Sequence, residues 1–243
     1  MKSILMTAAL LFGTAAMADE RDTFIEHTLL TVFYHELGHA LIDLEQLPLY
    51  GPNEPSADIA SVMIVERLYP PETSMQMITA AADLFAAEGI DRGEIEDFAD
   101  YADTHGSDQG RFFNTVCIYY GGDTEARQEW ADMMELPEGR AERCADEYDV
   151  ATKSWGTLLD RLSEKANSGS FVIGTIEDGA PVTEAVITAE LEALNQDMGL
   201  DVTLPVSIET CGEANAYYDS DSKSMVMCVE FEEFLGNMYD LLQ

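Results

Sequence analysis

Basic residues are scarce. Twelve Lys and Arg stand against 47 Asp and Glu in 243 residues, a formal charge of −35 with the four His taken as neutral. A field of that sign repels phosphates and anionic lipid headgroups, which argues against nucleic-acid and membrane-surface roles. After the first 18 residues no run approaches the ~18 apolar residues of a membrane span. The four cysteines form no CxxC, so redox catalysis has little support. Apart from Met75/Met77 and Met225/Met227 the methionines form no Met-x-Met array, and they read as core filler rather than a copper site. Asp219 to Lys223 lacks the Gly and the terminal Glu of an EF-hand loop. No internal repeat is present.

The N-terminus has the layout of a secretory signal peptide over residues 1–18. Lys2 is followed by an apolar stretch from Ile4 to Phe12 and by Ala16-Met17-Ala18 before Asp19. Export to the periplasm or beyond is therefore expected, with one domain over 19–243. Oxidising surroundings then make the cysteines readable as two disulfides. Cys211 and Cys228 lie equally far from the Asp219–Ser220 midpoint, so a hairpin centred there sets them opposite one another. That pairing leaves Cys117 for Cys144, each bridge stabilising by roughly 3 kcal/mol.

The expected fold class is α+β. A helical part, 19–166, starts with a helix opened by the capping box Thr23-x-x-Glu26 and running to about Leu47. A second helix spans Asn53 to just before Pro70-Pro71, and a third is capped at Thr73-x-x-Gln76 and stopped by Gly89. Further helical stretches cover about 93–103, 107–119, 124–134 and 146–165. The mixed part, 167–243, reads β-α-β-β-α with a disulfide-linked hairpin. It comprises a strand at Phe171–Ile176, a helix at Thr183–Met198, a strand at Val202–Ile208, the hairpin and a closing helix at Glu230–Leu242.

The chemistry concentrates in the first helix, where Tyr34-His35-Glu36-Leu37-Gly38-His39 holds an HExxH pattern. His35 and His39 are four apart, so both rings leave one face and can meet a single ion. Glu36 lies about 100° round the helix from His35, placed to address a water without ligating. Gly38 costs about 1 kcal/mol relative to Ala in a helix, which suggests close packing at that point. A catalytic zinc needs a third protein ligand and an open position. Glu54 and Asp58, four apart at the start of the second helix, can supply a ligand and a carboxylate for a histidine's free ring N–H. Glu54 is assigned as the ligand and Asp58 as that partner; the reverse remains open.

HELGH followed by an ExxxD helix resembles the gluzincin, thermolysin-like metallopeptidases. The longer phrase YHELGHALIDLEQLPLYGPNEPSADIAS is similar to a family of exported bacterial proteins assigned as metallopeptidases by pattern. The resemblance implies Glu54 as the third zinc ligand and Asp58 as the residue orienting a histidine. His105-Gly106-Ser107-Asp108 resembles the segment carrying the oxyanion-stabilising histidine, which implies that role for His105. Asn215-Ala216-Tyr217-Tyr218 is similar to the edge strand that pairs with an extended peptide, which implies substrate binding by Asn215 and Ala216. Two departures stand out. The spacing from His39 to Glu54 is shorter than in thermolysin, and the strand follows the HELGH helix instead of preceding it.

The expected protein is a zinc peptidase with one Zn²⁺ per chain on His35, His39 and Glu54, and with Glu36 as general base. His105 faces the oxyanion, with Tyr119, Tyr120 or Tyr217 in reserve, and the substrate is a peptide or protein. Its rival is a non-catalytic exported protein that binds zinc or a partner.

Overall fold

A computed structural model describes residues 9–49, 51–93 and 105–243; the helix expected over 93–103 lies largely outside them. Ten α-helices and four strands run in the order α1–α8, β1, α9, β2, β3, β4, α10 among the described residues. The helical part and the small mixed part are those the sequence pattern implies.

Helix α1 (Ala9–Leu44) is the element on which the others assemble. Ile25, Leu29, Phe33, Leu37 and Leu41 recur every fourth residue and are buried. This row buries one face of the helix, and each such side chain contributes about 2 kcal/mol. Around α1 pack α2 (Asn53–Leu68), α3 (Pro71–Arg92), α9 (Pro181–Asp197) and α10 (Val229–Leu241). The Thr23 capping box does not open α1. In the unprocessed chain, Ala-rich, helix-favouring sequence continues upstream of it, and a cap acts only where no helical turn precedes. Likewise α3 starts at Pro71, not at Thr73, and passes through Gly89. It stops at Gly93, whose φ of 80° supplies the left-handed residue that ends a helix.

Helix α4 (Asp108–Gly122) is capped by the Ser107 hydroxyl, which accepts from the Gly110 N–H at 3.2 Å. Short helices α5 (Gln128–Met133) and α6 (Glu138–Ala141) lead to α7 (Cys144–Ala151), which continues through a π turn (Thr152–Gly156) into α8 (Thr157–Ser163). Cys117 and Cys144 are bridged as expected, joining α4 to α7.

The sheet has the order β1-β2-β4-β3, formed by Phe171–Ile176, Leu204–Glu209, Ser224–Cys228 and Ala216–Asp219. Strands β1, β2 and β4 are parallel, and β3 returns antiparallel along the outer edge of β4, beside α1. The Cys211–Cys228 bridge is formed, but the hairpin register differs from the symmetric one. Asp219 pairs with Ser224 across a turn at 220–223, so Cys228 meets Asn215, whose carbonyl accepts its N–H at 3.0 Å. Cys211 reaches Cys228 from the end of β2, where Glu209 is the parallel partner of Cys228. The disulfide thus links β2 to β4 rather than the two hairpin strands. No helix among the described residues is long and apolar enough to cross a membrane.

Candidate metal centre

The i,i+4 spacing on α1 brings the His35 and His39 rings to 4.7 Å between centroids, nearly perpendicular to each other. Their Nε2 atoms are 3.1 Å apart. Helix α2 crosses α1 at Gly38, where a Cβ would stand 3.0 Å from both Ala57 Cα and Ala60 Cβ. Glycine permits that approach without displacing α2, whose first turn lies over the histidines. Glu54 Oε2 then lies 3.2 Å from His35 Nε2 and 3.2 Å from His39 Nε2.

These three donors form a nearly equilateral triangle. A tetrahedral ion with bonds of about 2.0–2.1 Å sets its ligand atoms about 3.3 Å apart, so the triangle fits one face of such a site. Glu54 Oε2 is buried and receives no aligned hydrogen bond in the protein. Burial pushes the Glu54 carboxyl up, and the His35 and His39 rings beside it pull it well below the usual carboxylate range. Among the described residues, His35, His39 and Glu54 are the group able to hold a metal ion.

The other oxygen-bearing neighbours are ordered in layers. Asp58 Oδ1 lies 2.8 Å from Nδ1 of His35, so the carboxylate beside the ring's far nitrogen is that of Asp58, although this nitrogen, like Glu54 Oε2, makes no aligned hydrogen bond. Asp58 is itself held by Arg111, whose Nε and Nη2 donate to Oδ2 at 3.0 Å and to Oδ1 at 2.7 Å. The guanidinium stacks 4.2 Å over the Phe85 ring. Burial raises the Asp58 carboxyl, but His35 and Arg111 outweigh it and bring the pKa down to about 2. Burial lowers His35, while the carboxylates of Asp58 and Glu54 prevail and lift it to about 9. Arg111 has no signal in the sequence, because it arrives from α4, 53 residues away from Asp58.

Glu36 is buried on the same helix, with Oε1 3.9 Å from His35 Nε2. Its Oε2 accepts the backbone N–H of Tyr218 at 2.9 Å. Burial raises its pKa, opposed by the charges of His35 and His39. His105 reaches Glu54, with Nε2 3.3 Å from Glu54 Oε2 and about half its side chain exposed. Asn215 and Ala216 line the same cavity, of about 260 Å³, whose apolar wall includes Val32, Ile78, Phe85 and Phe231.

Two of the reserve tyrosines are engaged elsewhere. Tyr119 donates to the Pro71 carbonyl at 3.1 Å and Tyr120 to Gln128 at 2.7 Å, while Tyr217 is exposed on β3. Asp43 accepts the Tyr218 phenol and pairs with Lys223.

No curated protein and no solved structure matches the chain. A family model does match, over residues 4–159 and 181–240, which include every residue of the cluster. The protein therefore belongs to the family described as "Putative metallopeptidase" (DUF4344).

Proposed function

We propose that this protein is an exported zinc peptidase of gluzincin type, processed after Ala18. The single observation that carries the reading is the triangle of His35, His39 and Glu54, with a buried Glu54 oxygen that has no hydrogen bond of its own. Three nitrogen and oxygen donors on one side suit Zn²⁺ with a position left open. When bound there, the ion polarises the scissile carbonyl and acidifies a water.

The remaining work falls to the chain. Glu36 takes the proton of the attacking water and delivers it to the departing amine nitrogen. His105 donates a hydrogen bond to the oxygen on which charge develops. Asn215 and Ala216, on the outer strand of the sheet, hold the peptide backbone, and the apolar wall beside them accepts an apolar side chain. Arg111 and Asp58 keep the Nδ1 side of His35 engaged so that Nε2 faces the centre.

The test is cleavage of a peptide library by the oxidised protein loaded with zinc, beside Glu36→Gln, with metal content measured in both. The expected result is one zinc in each protein and a loss of at least about a hundredfold in kcat for the variant. One tightly bound zinc with no cleavage of any peptide by the wild type would replace this reading with that of a zinc-binding protein.

A further inference from the structure

The hairpin is fastened to α1 at two levels, and one of them is the carboxylate of Glu36. Tyr218 donates its backbone N–H to Glu36 Oε2 at 2.9 Å. Two helical turns along α1, the phenol of the same Tyr218 donates to Asp43 Oδ2 at 2.7 Å, and Lys223 Nζ pairs with that oxygen. Glu36 and Asp43 are seven apart and share a helical face, so one strand residue spans both.

The approach to β3 is fixed as well. Cys211 is bridged to Cys228, and the Glu230 carboxylate accepts the N–H groups of Cys211 at 3.1 Å and Gly212 at 2.7 Å. Ala216 and Tyr218, alternate residues of β3, both point their amides away from β4. The Ala216 N–H is taken by Asn215 Oδ1 at 2.9 Å, and the Tyr218 N–H by Glu36. A carboxylate bound at one oxygen loses the freedom to turn about its last bond. Its other oxygen, 3.9 Å from His35 Nε2, is left facing the metal centre.

We propose that Tyr218 is a positioning residue for Glu36: its phenol, docked with Lys223 on Asp43, sets β3 so that its backbone N–H holds Oε2 and leaves Oε1 to act. The role in turnover rests on the peptidase reading; the contact itself does not. A misplacement of a reacting group by about 1 Å costs up to about a hundredfold, and a loosened clamp should fall short of that.

Three variants of the zinc-loaded protein test the clamp. Tyr218→Phe and Asp43→Ala should each lower kcat about tenfold with KM and zinc content little changed. Asp43→Asn, whose amide oxygen still accepts the phenol, should recover most of the loss. Hydrogen exchange at the Tyr218 amide gives a second readout that needs no turnover. It should be slow in the wild type and faster in Tyr218→Phe, Asp43→Ala and Glu36→Ala. If Tyr218→Phe does not fold, the two Asp43 variants carry the same comparison. Unchanged kcat in the folded variants, or a rise in KM alone, overturns the proposal. So does Tyr218 exchange that is indifferent to Asp43 and Glu36. If the wild type cleaves no peptide, the peptidase reading fails by that result, and the exchange data alone decide whether the clamp exists.

Discussion

Asp83 holds most of its carboxyl out of water on α3, and burial alone lifts its pKa from 3.8 to about 6. The ionised form is therefore penalised in the folded state. That penalty is absent below the unfolded value, grows as pH rises toward 6, and is complete at neutral pH. Asp83→Asn should stabilise the fold at pH 7, by at most about 3 kcal/mol before the discount for solvent screening, and do almost nothing near pH 3. Urea unfolding at the two pH values measures this; an equal effect at both would remove titration as the cause. The contrast with Asp58 shows what a sequence discloses about single residues. Spacing set His35 with His39 on one helix face and Glu54 with Asp58 on another, because helix periodicity brings residues four apart together; that the two pairs meet was implied by the resemblance to gluzincins. Neither gave access to Arg111 or Tyr218, which hold Asp58 and Glu36 in place. Those contacts are set by how α4 and β3 dock on the first two helices, and no local pattern encodes them.

Helices were legible as elements, and α2 even from its first residue Asn53, but the ends of α1 and α3 were not. The every-fourth-residue row of α1 and the Pro70-Pro71 start of α3 leave little choice of structure, whereas Thr23, Thr73 and Gly89 carry end signals that helical continuation overrides. The hairpin formed with its expected disulfide, but its register was missed in a similar way. Cysteine symmetry is a statement about two residues, while register is set by pairing along the whole of β2, β4 and β3. Gly38 is the element-scale feature that the sequence did disclose, since a glycine inside a helix costs stability unless a neighbour needs the space. Gly38→Ala gains about 1 kcal/mol of helix propensity. It also drives a methyl to 3.0 Å from the backbone of Ala57, which cannot swing aside as a long side chain would. Overpacking costs about 1–3 kcal/mol, so the net effect should be destabilising. Parting α1 from α2 also moves Glu54 away from the histidines. Zinc affinity in a chelator competition should therefore fall further than stability does; unchanged affinity would mean that α2 is not held in place by this contact.

At the scale of the molecule, the helical and mixed parts are joined through a buried acid. Glu190 on α9 accepts the phenol of Tyr34 on α1 at 2.5 Å and that of Tyr69 at the end of α2 at 2.6 Å, and the two hydroxyls are 3.1 Å apart. Burial raises the Glu190 pKa, and the two phenol hydrogen bonds act against that rise. Tyr34 is fully buried and immediately precedes His35. One network thus ties the sheet's helix to the helix that carries His35 and His39. Tyr34→Phe leaves Glu190 with a single donor and should cost about 1–3 kcal/mol. Because the donor comes from one part and the acceptor from the other, the loss should lower the whole unfolding curve as one transition. Far-ultraviolet dichroism reports the helices, and tryptophan fluorescence reports Trp130 and Trp155, both in the helical part. A third probe, hydrogen exchange at β2 and β4, reports the sheet. If all three shift together in Tyr34→Phe, residues 19–243 fold as one unit. Separate midpoints, with only the helical signals displaced, would divide the chain into two.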